Sequence, residues 1–205
     1  MTGAAQLSFD FEVRPAMGQE DFLVAPCNED AVAWVDSWPD WPSSALCIHG
    51  PAGCGKTHLA NVWRARSGAR LLIARDLHAG NPAELLGDAV ACVVEDAERV
   101  KDETNLFHLF NLVAERRGHL LLTASMPPLR WDISLKDLKS RLLACPAAAI
   151  GAPDDGLLGA VMIKMFADRQ IQVPQDVILY LLTRIERSFE SARRTVAALD
   201  RAALS

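Results

Sequence analysis

Continuous apolar runs along the first three quarters of the chain predict buried strands. They are ALCIHG (45–50), ARLLIA (69–74), AVACVVED (89–96) and HLLLTA (119–124), with a weaker run, AAAIGA, at 147–152. Runs without polar alternation are typical of parallel strands that helices cover on both faces. Segments of helical periodicity lie between them, most clearly ETNLFHLFNLVAERRG at 103–118. The pattern predicts a doubly wound α/β domain with a five-stranded parallel sheet between helices.

The pattern changes on either side of this region. After Pro153 the strand-like runs stop, and DDGLLGAVMIKMFADRQ, PQDVILYLLTRIE and SFESARRTVAALDRAAL predict three amphipathic helices. Residues 1–24 are polar and irregular apart from QLSFDF at 6–11, and a short helix with Asn28 as its N-cap is expected up to Val35. We therefore expect an N-terminal tail (1–24), an α/β nucleotide-binding domain (25–152) and a small helical lid (153–205).

Composition and charge narrow the class of protein. Half of the 205 residues are hydrophobic. The net charge is -5, whereas proteins that bind DNA without a partner usually carry an excess of basic residues. The five cysteines are odd in number and widely spaced, as in a protein with reduced thiols, and the histidines show no metal-ligand spacing. No secretory leader pattern and no apolar run of about 18 residues occurs. We expect a cytoplasmic protein with no membrane partner and no strong direct DNA binding.

GPAGCGKT at 50–57 fits the phosphate-loop pattern G-x-x-x-x-G-K-[ST] and lies between a predicted strand and a predicted helix. Its glycines let the backbone wrap around phosphate and aim N–H groups inward, and the helix N-terminus adds partial positive charge. Lys56 is expected to reach the β- and γ-phosphates, and the Thr57 hydroxyl to hold Mg²⁺. The predicted nucleotide contacts of this segment are Gly50, Pro51, Ala52, Gly53, Cys54, Gly55, Lys56, Thr57 and His58.

VVED at 93–96 ends the third predicted strand and is the candidate for a Walker B segment. One acid of such a segment coordinates Mg²⁺, and its neighbour polarises the attacking water. The usual order places Asp first, whereas here Glu95 precedes Asp96, and the longer Glu95 side chain changes the metal geometry. The alternative is that the two acids only cap a strand at the surface.

The residues alone do not decide the roles of two further segments. TASMPP (123–128) follows the fourth strand beside the expected γ-phosphate, where a polar sensor residue belongs, and Ser125 or Thr123 fits that role. Either hydroxyl equally well satisfies a turn. LKDLKSRL (135–142) predicts a basic helix, whose Arg141 is either a solvated surface charge or an arginine finger.

Taken together, these segments resemble the AAA+ ATPases of the DnaA family. KTHL after the phosphate loop, LFHLFNLVAERRGHLLLTASMPP (106–128) and LKSRL (138–142) are similar to DnaA-family blocks and occur in the same order. The resemblance covers roughly residues 25–205. PPLRWDISLKDLKSRL (127–142) and IERSFESARRTVAALDRAAL (185–204) look more like the Hda-type branch, short DnaA relatives that switch off the initiator, and in particular its alphaproteobacterial members. The resemblance implies ATP or ADP with Mg²⁺ as ligands.

The resemblance also gives the tail segment QLSFDF a role. Hda-type proteins carry an N-terminal peptide that docks on the replicative sliding clamp, the β subunit of DNA polymerase III, through a glutamine and spaced hydrophobic anchors. Gln6, Leu7, Phe9 and Phe11 match that pattern. Aromatic rings buried in a partner's pocket are typical interface anchors. The alternative is a tail strand that folds back on its own α/β domain.

A mechanism in trans follows from the same resemblance. Arg141 matches the family's arginine finger, which would reach the ATP bound by DnaA and accelerate its hydrolysis while the clamp on DNA holds this protein. The protein's own site resembles one that holds ADP, with weak intrinsic ATPase activity at most, because Ser125 stands where DnaA carries an acid. Formation of a homo-oligomer remains an open alternative.

The lid departs from the family at one position. The arginine that the family brings from the lid onto its own nucleotide aligns near Glu190. Among the neighbouring arginines Arg187, Arg193 and Arg194, we assign this role to Arg193.

Two other functions share parts of this pattern. A helicase or replisome loader of the DnaA/DnaC kind has the same AAA+ core, and helicase binding rather than clamp binding would identify it. A small-molecule P-loop kinase is the third class, but it requires a substrate-binding insertion and leaves the clamp-like tail unexplained.

Overall fold

The computed structural model describes residues 13–14, 22–78 and 80–203. Two short strands, β1 (Val13–Arg14) and β2 (Phe22–Leu23), form an antiparallel pair. The tail residues Gln6, Leu7, Phe9 and Phe11 lie outside the described residues.

A five-stranded parallel sheet forms the centre of the protein, which confirms the predicted fold class. Its strands stand in the order β4-β5-β6-β3-β7. Strand β3, which precedes the phosphate loop, is an interior strand between β6 and the edge strand β7. Because the strands are parallel, the segments that follow β3, β5 and β6 meet at one edge of the sheet, as is usual for ligand sites in such folds. The strands are β3 (Ala45–His49), β4 (Arg70–Ile73), β5 (Ala91–Glu95), β6 (His119–Ala124) and β7 (Ala147–Ala149).

Helices cover both faces of this sheet. Side chains alternate along β3, so Ala45 and Cys47 face one layer of helices while Leu46 and Ile48 face the other. Helices α4 and α5 pack on the first face, and α1 and α2 on the second. The helices of this part are α1 (Glu29–Asp36), α2 (Lys56–Ser67), α3 (Pro82–Leu86), α4 (Glu103–Glu115) and α5 (Lys136–Ala144).

Helix ends follow local sequence signals only in part. Gly68 ends α2 in the left-handed conformation, as the sequence predicts. Asn28 occupies the N-cap position of α1, but its side chain makes no capping hydrogen bond. Its Oδ1 instead accepts from the Ala25 N–H at 2.9 Å, and its Nδ2 donates to the Leu23 carbonyl at 3.0 Å. Buried Asn28 therefore anchors the segment before the helix through hydrogen bonds to two of its backbone groups.

Three helices follow the sheet: α6 (Asp155–Ala167), α7 (Gln175–Leu182) and α8 (Phe189–Ala203). They enclose a separate apolar cluster, and Asp154 caps α6 by accepting a hydrogen bond from the Leu157 N–H at 2.7 Å. Arg187, just before α8, makes two hydrogen bonds to Asp155 at 2.8 and 2.9 Å and so links the start of α8 to the start of α6. We call this three-helix unit the lid. No helix in the described ranges has both the length and the apolar character to cross a membrane.

Candidate functional site

The loop Gly50–Thr57 leaves the carboxyl end of β3 and enters α2, at the edge where β5 and β6 also end. Gly50 begins it, and its N–H donates to the Ala124 carbonyl of β6 at 3.1 Å. A Cβ on Gly50 would lie 2.0 Å from the Ile150 carbonyl oxygen, which leaves no room for a side chain. The start of the loop is thus fixed against both neighbouring strands.

The loop backbone turns through two left-handed glycines, Gly53 at φ +70 and Gly55 at φ +104. Other residues adopt this conformation only at a cost in energy. The two glycines therefore permit the tight turn by which the loop enters the N-terminus of α2. The Lys56 ammonium donates to the Gly50 and Pro51 carbonyls, both at 2.8 Å, and lies 4.0 Å from the Cys54 sulfur. The Lys56 side chain therefore folds back along the loop. The first turn of α2 carries no acid that would repel a bound anion.

Two cations influence His49, the residue before the loop. Burial lowers the pKa of His49, which ends β3, and the charges of Arg130 and Lys56 lower it further. Arg130 lies in the 3-10 turn Pro128–Arg130 that follows β6. The same edge also holds the acids Glu95, Asp96 and Glu98 at the end of β5, so charges of both signs surround the loop. Sequence reasoning did not find Arg130, because no local pattern marks its approach to β3.

The two acids of the Walker B candidate differ in their surroundings. Glu95 is the half-buried last residue of β5. Asp96 is exposed, adopts φ +53, and its carboxylate lies 3.7 Å from the Arg99 guanidinium. The Asp96 N–H donates to the buried Thr123 hydroxyl oxygen at 3.3 Å. Thr123 thus joins the ends of β5 and β6, and between the two hydroxyls proposed as a sensor it is the one with a structural hydrogen bond.

Ser125 lies exposed just beyond β6, and its position depends on an acid that sequence reasoning missed. Its N–H donates to Glu98 Oε1 at 2.9 Å. Glu98 belongs to the 3-10 turn Ala97–Arg99 after β5, and its Oε2 is buried without a hydrogen-bond partner among the described residues. Glu98 therefore holds the segment after β6 against the one after β5. The two residues are 27 positions apart, and no signal in either segment predicts this contact.

The lid contacts the phosphate loop directly. The Phe189 N–H donates to the Gly53 carbonyl at 2.9 Å. A Cβ on Gly53 would meet the Ser188 Cβ at 2.9 Å and the Glu190 Cβ at 3.4 Å, and one on Gly55 would meet the Phe189 ring at 3.4 Å. The absence of side chains on these two glycines thus lets the start of α8 rest on the loop.

The lid arginines occupy different environments. Arg187 is engaged with Asp155 within the lid. Arg193 is 62% exposed, and its guanidinium lies 3.9 Å from the Glu190 carboxylate, one helical turn along α8. The residue that the structure brings to Gly53 is Glu190. The assignment of Arg193 to the nucleotide stays a prediction.

Arg141 projects from α5, on the face of the sheet opposite to α2. Leu138 and Leu142, on the inner side of the helix, are buried in the core. The Glu103 carboxylate accepts hydrogen bonds from the backbone just before the helix, including one from the Leu135 N–H at 2.6 Å. The exposed Arg141 guanidinium stands 5.4 Å from the centre of the Phe107 ring. A well-anchored helix therefore presents this arginine at the surface.

Metal binding by protein groups alone finds no support within the described ranges, where no cluster of three or more His, Cys, Asp or Glu residues occurs. Thr57 is exposed at the start of α2 and Glu95 is half-buried at the end of β5, and both offer the hard oxygen atoms that Mg²⁺ prefers. Such a donor pair fits a Mg²⁺ that is held mainly by phosphate oxygens and water.

The fold is similar to that of the AAA+ domains of DnaA. No protein-family model matches the chain. Domain III of the replication initiation protein DnaA from Thermotoga maritima has a TM-score of 0.73 and 18% identity, over 90% of this chain and 88% of that one. AMPPCP-bound DnaA from Aquifex aeolicus has a TM-score of 0.72 and 19% identity, over 92% of this chain and 66% of that one. DnaA bound to AMPPCP and single-stranded DNA has a TM-score of 0.71 and 18% identity, over 87% and 62%.

These structural similarities establish the fold of the chain. The chain has the α/β fold of the DnaA AAA+ domains, and it spans 62% to 66% of the length of the two AMPPCP-bound DnaA chains.

Proposed function

We propose that this protein is a nucleotide-binding AAA+ regulator that docks on the DNA-loaded sliding clamp through Gln6, Leu7, Phe9 and Phe11 and stimulates ATP hydrolysis by DnaA. The observation that carries the proposal is the placement of Arg141. It stands exposed on an anchored surface helix, next to a neutral ring, and that helix packs on the face of the sheet opposite to the helix that follows the protein's own phosphate loop. An arginine in that setting is suited to a nucleotide held by another molecule.

Nucleotide binding is the first step, and the loop around Lys56 supports it. Lys56, which contacts the Gly50 and Pro51 carbonyls, and the amides at the start of α2 would hold the phosphate groups. Thr57 and Glu95 would hold Mg²⁺, which would neutralise phosphate charge. In AMPPCP-bound DnaA, a protein of similar fold, an ATP analogue is bound. That likeness supports adenine nucleotide as the ligand.

Intrinsic hydrolysis is slow in this proposal. Asp96 points its charge towards Arg99, and Thr123 is engaged with the Asp96 backbone. Ser125 supplies a neutral hydroxyl rather than an acid at the end of β6. The order of Glu95 and Asp96 and the neutral Ser125 therefore support weak activation of a water molecule at this site. The nucleotide acts as a structural ligand that keeps the lid on the loop.

Arg141 supplies the catalytic charge in trans. In phosphoryl transfer, negative charge develops on the γ-phosphate and bridging oxygens, and a guanidinium from a neighbouring subunit neutralises it. A finger of this kind is worth roughly 10³ to 10⁵ in rate. Clamp docking raises the local concentration of this protein beside DNA-bound DnaA, because it converts a bimolecular encounter into a tethered one.

The test is an assay of ADP formation by DnaA–ATP in the presence of clamp loaded on DNA. Wild type should accelerate hydrolysis, and Arg141→Ala should not, although it folds and binds ADP and clamp. Lys139→Ala, at an exposed position of the same helix, is the matched control and should behave as wild type. The double variant Phe9→Ala/Phe11→Ala should lose clamp binding and stimulation together while keeping its fold and nucleotide affinity.

Two results would overturn the proposal. Full stimulation by Arg141→Ala removes the finger from the mechanism. Retention of the protein by replicative helicase, with no binding to clamp, identifies a loader instead.

A further inference from the structure

We propose that the exposed face of α7 pairs antiparallel with the same face of a second copy of this chain, so that two lids form a two-fold symmetric dimer. Asp176, Val177, Tyr180 and Arg184 make up this face, and we call it the α7 face. The inference goes beyond the proposed function, because the α7 face includes neither the phosphate loop nor Arg141.

Helix α7 is apolar on the side that faces solvent as well as on the side that faces the lid core. Ile178 and Leu182 are buried in that core. Three of the ten large hydrophobic residues that are exposed within the described ranges nevertheless lie on this helix of eight residues: Val177 at 38%, Leu179 at 41% and Tyr180 at 56%. A helix that is apolar all round is usually covered all round in the working protein, and an exposed apolar patch marks an interaction site.

Opposite charges stand at the two ends of the α7 face. Asp176 lies in the first turn of the helix, and its carboxylate has no ion-pair partner among the described residues. Tyr180 follows four residues later on the same stripe of the helix surface. The Arg184 guanidinium lies 3.7 Å from the centre of the Tyr180 ring and donates to the Thr183 hydroxyl at 3.0 Å. The face therefore runs from an acid, through apolar groups, to a base.

This arrangement is complementary to itself. When two α7 helices meet antiparallel about a two-fold axis, the acid of each copy comes to the base of the other, and the apolar residues meet between them. Parallel pairing would bring like charges together instead. A partner surface of one charge sign would be repelled at one end of the face, which favours a second copy as the occupant.

The expected dimer is weak. About two turns of helix from each copy bury less surface than a standard interface, so we expect association in the micromolar range. A two-fold dimer holds the contact between Asp176 and Arg184 twice, so reversal of either charge turns two attractions into two repulsions. At exposed sites that salt screens, this should lower the association constant by at least about tenfold.

A role within one chain predicts something different. Arg184 covers the Tyr180 ring of its own lid, and such a contact stabilises the fold whether or not a second copy binds. In that case the protein would sediment as a monomer at every concentration, and Arg184→Asp would change only the melting temperature. The dependence of mass on concentration therefore separates the two roles.

The experiment is sedimentation equilibrium of the full chain at concentrations up to about 300 µM, well above the expected dissociation constant. Wild type and Asp176→Arg/Arg184→Asp should dimerise, because the double variant restores the contact with its signs exchanged. Asp176→Arg alone and Arg184→Asp alone should be largely monomeric. The two single variants mixed in equal amounts should form a dimer, because one supplies two bases and the other two acids. Asp168→Arg and Arg194→Asp, at exposed lid positions outside α7, are the matched controls and should behave as wild type.

Each contrary result overturns the inference. A wild type that stays monomeric throughout the series leaves the α7 face to another partner, and single variants that dimerise as tightly as wild type place the contact elsewhere. Failure of the folded single variants to pair with each other also refutes it, and circular dichroism of each variant establishes folding beforehand. Where a single variant does not fold, Tyr180→Ala takes its place, because it keeps both charges and should lower the association constant by at least about tenfold; unchanged association would be a refutation.

Discussion

Replacing Gly53 by Ala perturbs the loop and its contact with the lid through one methyl group. Gly53 adopts φ +70, a conformation that costs an alanine about 1–2 kcal/mol. The added Cβ would lie 2.9 Å from the Ser188 Cβ, closer than such atoms approach, so the lid or the loop must move. Movement of the lid would break the hydrogen bond between Phe189 and Gly53, which is worth about 0.5–1.5 kcal/mol. We expect the free energy of unfolding to fall by about 2–3 kcal/mol.

Gly68→Ala is the matched control for the backbone term. Gly68 adopts φ +65 at the end of α2, and a Cβ there would meet nothing within 4 Å. The free energy of unfolding of this variant should therefore fall only by the cost of the left-handed conformation for alanine, about 1–2 kcal/mol. The difference between the two variants, about 1 kcal/mol, measures the contact between lid and loop.

Urea unfolding followed by tryptophan fluorescence gives both free energies, and hydrogen exchange at the Phe189 amide gives a local measure. That amide should exchange faster in Gly53→Ala and normally in Gly68→Ala. Adding Ser188→Gly to Gly53→Ala should restore part of the loss, relative to Ser188→Gly alone, because it removes the atom that the new methyl group meets. Equal destabilisation in Gly53→Ala and Gly68→Ala, with unchanged Phe189 exchange, would refute the contact.

Two further predictions concern single interactions. Lys56→Ala should reduce ADP affinity at least about tenfold in calorimetry. It should change the free energy of unfolding by no more than about 1 kcal/mol, because the hydrogen bonds that Lys56 makes within the described residues go to loop groups. Undiminished ADP binding would remove the phosphate loop from the proposal. Hydrogen bonds from Arg187 hold the pKa of Asp155 below its ordinary value of 3.8, so this pair stabilises the lid fully above that pH and loses its effect as pH falls through the lower folded-state pKa. The melting temperatures of wild type and Arg187→Ala should therefore differ at neutral pH and converge as the pH falls below the folded-state pKa of Asp155, whereas a difference that persists in acid would assign the effect to packing.

The sequence determined the parts of the structure that depend on local patterns. Continuous apolar runs at 45–50, 69–74, 89–96 and 119–124 specify strands, which are buried in the interior of the sheet and partly exposed in the edge strand β4, and the sheet confirms the predicted fold class. The turn between β3 and α2 was predictable because its glycines allow the left-handed backbone it needs, whereas its binding of phosphate stays a prediction. Gly68 ended α2 for the same local reason.

Asn28 shows where local signals stop being sufficient. Its position before α1 was predictable, but its side chain bonds to backbone groups of Leu23 and Ala25 instead of capping the helix. A side chain that has two ways to form hydrogen bonds takes the one that satisfies buried groups, and burial is a property of the assembled fold.

The tertiary structure alone decided how distant segments meet at the site. Glu98 holds Ser125 because β5 and β6 are neighbours in the sheet, and strand order is set by packing rather than by any motif in either strand. Glu190 reaches Gly53 across more than 130 positions of sequence because the lid packs back over the loop. The sequence shows which charged groups exist, but the charge that a bound phosphate would meet depends on distances between elements, and those follow only from the assembled fold.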